Sequence, residues 1–131
     1  MFEGEYKNNL RWNGNIYAPK NNNEIYQLKN GKGFIKEFNY DGNLIFEGEY
    51  WNGKRNGKGR EYSIFETLKF DGEYLNGKIN GNGKEYHHNG ILYFDGEYLN
   101  DTKNGKGKEY NKIDGKLKFE GEYLYDEKRK C

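Results

Sequence analysis

The sequence has few of the residues from which cross-links and catalytic centres are usually built. Its 131 residues include one cysteine, one proline and two histidines. The single Cys131 excludes an intrachain disulfide and fits a reducing compartment. Because there is also only one serine, Ser63, no Ser-His-Asp or Cys-His arrangement can be assembled. We therefore expect no catalytic residues, no cofactor and no enzyme activity.

The two histidines are adjacent, as His87 and His88, and they fall at a predicted connection between hairpins. A protein metal site usually has three or four ligands, and no cysteine lies near this pair. We expect surface histidines and no metal site.

Long apolar runs and an excess of one charge are also missing. No stretch is long enough to span a bilayer, and no signal peptide is recognisable. The formal net charge is +1, so the field of the whole chain does not steer it towards nucleic acid or an anionic membrane. A chain that is 33% charged would usually be disordered, but here 18% of the residues are aromatic and evenly spaced. We predict an ordered protein in the cytoplasm, either free or peripheral to a membrane or the cytoskeleton.

One motif accounts for most of the chain. Residues 46–50 read Phe-Glu-Gly-Glu-Tyr and lead through Asn-Gly into residues 56–62, Asn-Gly-Lys-Gly-Arg-Glu-Tyr. The first residue of the motif recurs at steps of 24, 24 and 25 positions, as Phe46, Phe70, Phe94 and Phe119. A fixed period of this size indicates a tandem array, in which each unit is one supersecondary element stacked on its neighbours.

We interpret residues 1–131 as a single array of complete and partial copies. The copies are two degenerate ones at 2–23 and 24–45, three regular ones at 46–69, 70–93 and 94–118, and a half copy at 119–125. In the first copy, residues 12–17 are predicted to be the return strand. Residues 19–23 contain Pro19 and are predicted to be a loop, because proline cannot donate to a β-ladder.

Each copy is predicted to be a β-hairpin. In residues 68–74, Leu, Phe, Gly and Tyr alternate with Lys, Asp and Glu, as in a half-buried strand. The Asn76-Gly77 pair that follows favours a two-residue type I′ turn. This turn predicts the following cross-strand pairs: Leu75 with Lys78, Gly72 with Gly81, Phe70 with Gly83, Glu47 with Lys58, and Asp95 with Lys106. Aromatic rings would then lie over glycines, and each charge pair would contribute roughly 0.2–1 kcal/mol.

The predicted fold is therefore all-β. Hairpin follows hairpin without a crossover, which gives an elongated single-layer antiparallel meander of tandem β-hairpins. Its core is expected to be one row of Phe, Tyr and Leu side chains rather than a globular centre.

The pattern aromatic-Glu/Asp-Gly-Glu-Tyr, Asn-Gly-Lys, Asn-Gly-x-Gly resembles the MORN (membrane occupation and recognition nexus) repeat, closely in residues 46–123 and more loosely in residues 2–45. The resemblance implies a twisted sheet of hairpins without enzymatic activity that serves as a scaffold or protein-interaction surface. It also implies links to phospholipids or to end-to-end dimers, as in some members. Two features depart from the family pattern. The first strand ends in Tyr where the family often has Trp, and the turn at residues 100–102 lacks glycine.

Two recurring polar patterns also have a ligand-binding or catalytic interpretation. Gly-Lys-Gly at residues 31–33, 57–59 and 105–107 has the composition of a phosphate loop, but such loops lie between a strand and a helix N-terminus. Paired acids such as Asp71 and Glu73 suggest a glycosidase, whose carboxylates need one specialised pocket. No helix is predicted here, and rings packed across the ladder require glycine, so we expect structural glycines. Because the paired acids recur in every unit, we expect solvated ladder charges rather than a catalytic pair.

The aromatic row is the first candidate surface. Its rings recur every two strands, roughly every 9–10 Å along the sheet, and nothing in the sequence covers that face completely. The candidate interaction residues are Tyr50, Trp51, Tyr74, Tyr98 and Tyr123. They are expected to line a groove for an extended peptide, a partner helix or a sugar chain, while the alternative is that the row is simply the core.

The last predicted strand is the second candidate surface. It begins a copy that receives no return strand, and an unpaired edge offers backbone donors and acceptors to another chain. The candidate assembly residues are Phe119, Gly121, Tyr123 and Tyr125. The charged run at residues 126–130 either blocks such pairing or follows a strand that is paired.

Two functions remain at this point. The first is a non-enzymatic scaffold for protein–protein interaction or end-to-end assembly, whose partner is another protein or a second copy of the chain. The alternative is a module that binds a phospholipid head group or a glycan in the tyrosine-lined groove. Nucleic acid is not an expected partner.

Overall fold

The computed structural model describes residues 2–19 and 21–129, with the backbone alone at residues 21–24. These residues form twelve strands, and no helix occurs among them. The strands are β1 (Phe2–Lys7), β2 (Leu10–Ala18), β3 (Asn21–Leu28), β4 (Gly33–Phe38), β5 (Leu44–Trp51), β6 (Lys54–Tyr62), β7 (Leu68–Leu75), β8 (Lys78–Tyr86), β9 (Leu92–Leu99), β10 (Thr102–Tyr110), β11 (Leu117–Leu124) and β12 (Glu127–Lys128). The predicted antiparallel meander of hairpins is confirmed.

The first hairpin is longer than predicted. The return strand expected at residues 12–17 lies within β2, but the loop expected at residues 19–23 is wrong in extent. Strand β2 ends at Ala18 and β3 already begins at Asn21, with which Ala18 pairs. The three asparagines at residues 21–23 are thus part of a strand.

Within the described part of the chain, the meander is interrupted once, between β3 and β4. Strands β1–β3 form one sheet and β4–β12 a second, and an isolated bridge joins Lys29 to Lys32 at the break. Strand β4 lacks the two residues that correspond to Arg55 and Asn56 in β6. Without these two residues β4 cannot form the β-bulge that the later return strands β6, β8 and β10 contain, and the regular pairing between β3 and β4 is lost.

The predicted type I′ turns are confirmed. Asn76 has φ 50° and Gly77 has φ 85°, so both central residues are in the left-handed region that this turn requires. Leu75 pairs with Lys78 as predicted. The Gly77 N–H also donates to the Arg55 carbonyl oxygen at 2.8 Å, which ties this turn to the preceding hairpin.

The turn without glycine has the same conformation. Asn100 and Asp101 have φ values of 48° and 70°. The Asp101 carboxylate accepts the Ile79 N–H at 2.7 Å, and the Asp101 N–H donates to the Ile79 carbonyl at 2.9 Å. These two bonds to the preceding hairpin offset the strain of a non-glycine residue at positive φ.

Beyond the turn, the predicted register is wrong by two residues. The observed pairs are Gly72 with Gly83, Phe70 with Glu85, Glu47 with Arg60, and Asp95 with Lys108. A bulge in the return strand causes the shift. At its centre Gly81 has φ 111°, a conformation that L side chains rarely adopt.

A recurring glutamate holds each bulge. The Glu73 carboxylate accepts the Asn82 N–H at 3.0 Å, because the bulge leaves this donor without a ladder partner. The equivalent bonds join Glu49 to the Lys58 N–H at 2.7 Å and Glu97 to the Lys106 N–H at 2.5 Å. These acids are therefore structural rather than simply solvated.

The second glycine of the Asn-Gly-x-Gly segment in β6, β8 and β10 makes room for an aromatic ring. Glycines pair across seven successive strands, at Gly48, Gly59, Gly72, Gly83, Gly96, Gly107 and Gly121. A Cβ on Gly59 would lie 2.7 Å from the Phe46 ring, which is itself fully buried. The prediction that rings lie over glycines is confirmed.

The rings of neighbouring hairpins meet edge to face and form the core. The ring centroids of Phe46 and Tyr74 are 5.4 Å apart, and those of Phe94 and Tyr123 are 5.2 Å apart. Such contacts add about 0.5–1.5 kcal/mol to the burial of the rings themselves. The Phe and Tyr side chains of the predicted row thus form the core of the nine-stranded sheet together with Ile35. The leucines of that row are not buried, since Leu44, Leu68 and Leu92 are half-buried and Leu117 is exposed.

The opposite face carries a ladder of alternating charge. Its cross-strand neighbours are, in order, Lys36, Glu47, Arg60, Asp71, Lys84, Asp95, Lys108 and Glu120. Each acid thus lies opposite a base, so the corrected register still satisfies the predicted charge pairing.

Candidate functional site

The four tyrosines predicted to line a groove are buried. Their exposures are 9% for Tyr50, 5% for Tyr74, 5% for Tyr98 and 4% for Tyr123. The prediction of an open groove lined by these four tyrosine rings is therefore wrong. The ring of each later tyrosine covers the phenylalanine of the preceding hairpin, a contact that cannot be seen within a single copy. Among the predicted groove residues only Trp51 is accessible, with 48% of its surface exposed.

A row of glutamates lies beside the buried tyrosines, and the sequence analysis missed it. Its members are Glu37, Glu61, Glu85 and Glu109, the penultimate residues of the return-strand motifs. The Tyr50 hydroxyl donates to Glu37, and the Tyr98 hydroxyl donates to Glu85 at 2.5 Å. The Glu-Tyr or Glu-Phe pair that ends each return strand was the available signal.

Burial dominates the ionisation of these phenols. The pKa of Tyr98 is raised by desolvation and further by its hydrogen bond to Glu85. Desolvation and the nearby charge of Glu109 raise the pKa of Tyr123 to about 12. All these phenols are neutral at physiological pH, which suits hydrogen-bond donors in a core and not general bases.

Basic side chains of the return strands lie over three phenylalanines of this row, Phe46, Phe94 and Phe119. The Arg55 guanidinium lies 4.0 Å from the Phe46 ring centroid and pairs with Glu37 at 2.5 Å and Glu61 at 3.2 Å. The Lys128 ammonium lies 5.1 Å from the ring centroid of Phe119 in the last hairpin, and its partner carboxylate is that of Glu109.

An exposed apolar row runs along one turn edge, on the face opposite the core. It consists of the last residues of β5, β7, β9 and β11, namely Trp51, Leu75, Leu99 and Leu124. Their exposures lie between 44% and 48%. We call these four side chains the apolar row. Only Trp51 was singled out from the sequence, although the residue after each strand-ending tyrosine repeats with the same period.

The predicted assembly edge is partly closed. Strand β11 does receive a partner, because Tyr123 pairs with Lys128 and Leu124 with Glu127 in β12. The prediction of a copy without a return strand is wrong at this point. Phe119 and Gly121 lie in β11, whereas Tyr125 is a turn residue with φ 48°. The charged run at residues 126–129 thus belongs to a paired segment, while Lys130 and Cys131 lie outside the described residues.

Other candidate sites carry little chemistry. Within residues 2–19 and 21–129, no group of three or more His, Cys, Asp and Glu side chains is placed to hold a metal ion, and no helix is long and apolar enough to cross a membrane. A shallow cavity of about 510 Å³ lies on the charged face. Its wall combines Lys106 and Lys108 with Asp95, Glu120 and Glu122, so it selects neither anions nor cations.

Comparison with known proteins agrees with this architecture. A sequence model of the MORN repeat matches residues 2–12, 46–63, 70–91 and 94–116, which together make up more than half of the chain. A comparison with curated proteins gives no significant match.

Proposed function

Because the chain belongs to the MORN-repeat family, whose repeats occur in protein-interaction and scaffold proteins, we propose that it is a non-enzymatic scaffold that binds a protein partner through the apolar row. The observation that carries this proposal is the regular exposure of Trp51, Leu75, Leu99 and Leu124. An exposed apolar surface that exceeds scattered single side chains marks an interaction site, and these four side chains recur at the same position of successive hairpins from β5 to β12.

The spacing of the row suits a regular partner segment. Successive members lie two strands apart, or roughly 9–10 Å. A helix advances about 10.5 Å in seven residues, so an amphipathic helix with an apolar residue at every seventh position has nearly the same interval. Such a segment would place one side chain against each hairpin.

A phospholipid surface is the second candidate. Lys54 lies opposite Trp51 and Lys78 opposite Leu75, and apolar side chains next to lysines suit an anionic membrane. However, Glu73 lies two residues before Leu75 on the same strand face, as its equivalents do in the other hairpins. The local charge therefore nearly cancels, which favours a protein partner. No observation favours a glycan, since the tyrosine rings that would stack on it are buried.

A second copy of the chain is a less suitable partner at β11. A two-fold antiparallel pairing of β11 centred on Gly121 would place Glu120 of one copy opposite Glu122 of the other. Like charges directly opposite each other destabilise a sheet, whereas in the array each of these acids lies opposite a lysine. We therefore propose a different protein as the partner.

A quantitative pull-down tests the protein-partner proposal. Wild-type protein is compared with the double variant Leu75→Ser and Leu99→Ser, and with the control Ile64→Ser and Ile113→Ser. Ile64 and Ile113 are 67% and 87% exposed and lie in the loops that connect successive hairpins, away from the Asn-Gly turns that follow the apolar row. The amount of each partner protein captured by the row variant should be at least tenfold lower than the amount captured by the wild type and by the control. Equal capture by all three proteins would contradict the proposal.

Co-sedimentation with phosphatidylserine vesicles tests the lipid candidate. We expect the protein to stay in the supernatant at physiological salt. Sedimentation that is lost in the Lys54→Gln and Lys78→Gln variant would instead make the lipid surface the better assignment.

A further inference from the structure

Strand β1 has an open edge. Among the described residues it pairs only with β2, whereas the equivalent strands β5, β7, β9 and β11 each pair with a strand on both sides. Glu3, Gly4, Glu5 and Tyr6 are all exposed. The backbone N–H and C=O groups of such an edge can pair with an extended segment of another molecule.

The backbone groups of alternate residues in β1 face the open side. In the equivalent strand β11, the Glu122 carbonyl accepts the Arg129 N–H at 2.8 Å, so the Glu122 backbone groups face β12. Glu5 has the same position in β1 and therefore faces β2. Because this direction alternates along an antiparallel strand, the N–H and C=O groups of Gly4 and Tyr6 face the open side.

The acidic side chains of β1 lack the basic neighbours of their equivalents. The first acid of each later equivalent strand pairs with a base of the preceding strand, in the pairs Glu47 with Lys36, Asp71 with Arg60, Asp95 with Lys84, and Glu120 with Lys108. In β1, Glu3 lies opposite Asn15 and Glu5 lies opposite Asn13. No basic residue of the described part of the chain therefore lies across the strand from either glutamate.

The exposed Tyr6 ring indicates what kind of residue fits on the open side. The tyrosine rings of β7, β9 and β11 each lie over a glycine of the preceding hairpin, and a Cβ on Gly107 would lie 3.0 Å from the Tyr123 ring. Tyr6 has the same position in its strand, but 61% of its surface is exposed. A glycine opposite Gly4 on an incoming strand would allow the Tyr6 ring to cover it in the same way.

We propose that the open edge of β1 binds an extended segment of a partner protein that contains the sequence basic-Gly-basic. Within the array, residues 106–108 of β10 read Lys-Gly-Lys and pair with residues 120–122 of β11. The partner segment places its two bases opposite Glu3 and Glu5 and its glycine opposite Gly4. Its backbone extends the sheet, and the opposite charges across the ladder select its sequence.

The same charges disfavour a second β1 strand as the occupant. A two-fold antiparallel pairing centred on Gly4 would place Glu3 of one copy opposite Glu5 of the other, and like charges directly opposite each other destabilise a sheet. The open edge is also separate from the apolar row, whose first member lies in β5. The edge assignment and the proposed function can therefore fail independently.

An NMR titration with a synthetic peptide tests the proposal. The probe has the sequence of residues 102–110 with both ends blocked, and it contains Lys-Gly-Lys. The backbone amide signals of Gly4 and Tyr6 should shift, and these amides should exchange more slowly with solvent because they enter hydrogen bonds. Shifts confined to β11, or no shift at millimolar peptide, would overturn the proposal.

Two altered peptides test how the segment is recognised. A peptide with Lys106→Glu and Lys108→Glu should bind at least tenfold more weakly, because both attractive pairs become repulsive. A peptide with N-methylglycine in place of Gly107 keeps the charges but loses the backbone donor opposite Gly4, and it should also bind at least tenfold more weakly. If either altered peptide binds as tightly as the probe, the assignment is wrong.

A charge swap in the protein is the matched test. The variant Glu3→Lys and Glu5→Lys should prefer the glutamate peptide to the lysine peptide. Both glutamates are exposed and lie opposite asparagines, so the reversal leaves the fold intact. A variant that still prefers the lysine peptide would refute selection by these two acids.

The apolar-row variant is the control for the location of the peptide. Leu75→Ser with Leu99→Ser leaves β1 unchanged and should bind the lysine peptide within twofold of wild type. Loss of binding in this variant would instead place the peptide on the apolar row.

Discussion

The same five residues, Phe-Glu-Gly-Glu-Tyr, occur at positions 2–6 and 119–123, yet their tyrosines have opposite environments. Tyr6 is 61% exposed and Tyr123 is 4% exposed. The Tyr6 ring contacts Phe2 of its own strand, at 5.2 Å, whereas Tyr123 also packs edge-on against Phe94 of the preceding hairpin. Burial in this array is therefore a property of the contact between neighbouring hairpins rather than of the motif.

The largest loss of stability is expected when the Phe94 ring, which Tyr123 of the next hairpin covers, is removed. Phe94→Ala should destabilise the protein by about 3–5 kcal/mol, because a fully buried aromatic side chain leaves a cavity. Phe2→Ala should cost only about 1 kcal/mol, since its ring remains partly exposed. Urea unfolding followed by circular dichroism measures both. Equal losses would show that burial does not depend on the neighbouring hairpin.

Replacing a glycine beneath an aromatic ring by alanine tests the same ring packing from the neighbouring strand. In Gly83→Ala the new Cβ would lie 2.6 Å from the Phe70 ring, so we expect a loss of about 2–3 kcal/mol from overpacking. Gly90→Ala is the control, because its Cβ meets nothing within 4 Å and only the positive φ is strained. That control should lose about 1 kcal/mol. A Gly83→Ala protein as stable as the control would contradict the role of the paired glycines in making room for the rings.

The turn without glycine allows a subtler test of contacts between hairpins. Asp101→Ala keeps the strained φ but loses the bond to the Ile79 N–H, and should cost about 1–2 kcal/mol. Asp101→Gly loses the same bond but relieves the strain, so its stability should lie within about 0.5 kcal/mol of wild type. Thermal unfolding of the two variants side by side gives the comparison. An Asp101→Gly protein less stable than Asp101→Ala would show that relief of backbone strain contributes little at this turn.

The smallest effect at neutral pH concerns the Tyr123 hydroxyl, which is buried and has no hydrogen-bond partner among residues 2–19 and 21–129. Tyr123→Phe should be neutral at pH 7. Burial raises the pKa of this phenol to about 12, above its usual value near 10. The stability linked to the neutral phenol is therefore complete below pH 10 and is lost as the pH rises towards 12. Absorbance at 295 nm should show one late-titrating phenol fewer in Tyr123→Phe, and an unchanged titration curve would refute this assignment.

Much of the fold was predictable from the sequence. The period, the alternation in residues 68–74 and the Asn-Gly turns were sufficient to predict the hairpins and the aromatic row. The register was not, because a type I′ turn by itself implies an uninterrupted ladder. Gly81 and Glu73 together produce the bulge, and their partnership appears only when the two strands are placed side by side.

The candidate site was less predictable for a related reason. Residues Tyr74 and Tyr98 lie on the expected face, but whether such a ring lines a groove or fills a core depends on the next hairpin. The break before β4 follows from two missing residues, a small change within a segment that otherwise matches the pattern. The glutamate row was overlooked because the tyrosines that bond to Glu37 and Glu85 lie 13 residues further along the chain, on the neighbouring strand.

The hydrogen bonds that join each turn to the preceding hairpin determine whether a whole copy can be deleted from the chain. Gly77 contacts Arg55, and Asp101 makes the same contact to Ile79 one unit later. Excising residues 70–93 would let the remaining copies rejoin through equivalent atoms, with Tyr98 over Phe46 and Asp101 bonded to Arg55. The excised segment also contains Ile79, so the shortened protein would keep its architecture while its remaining regular copies would all have a basic residue, Arg55 or Lys103, at this position.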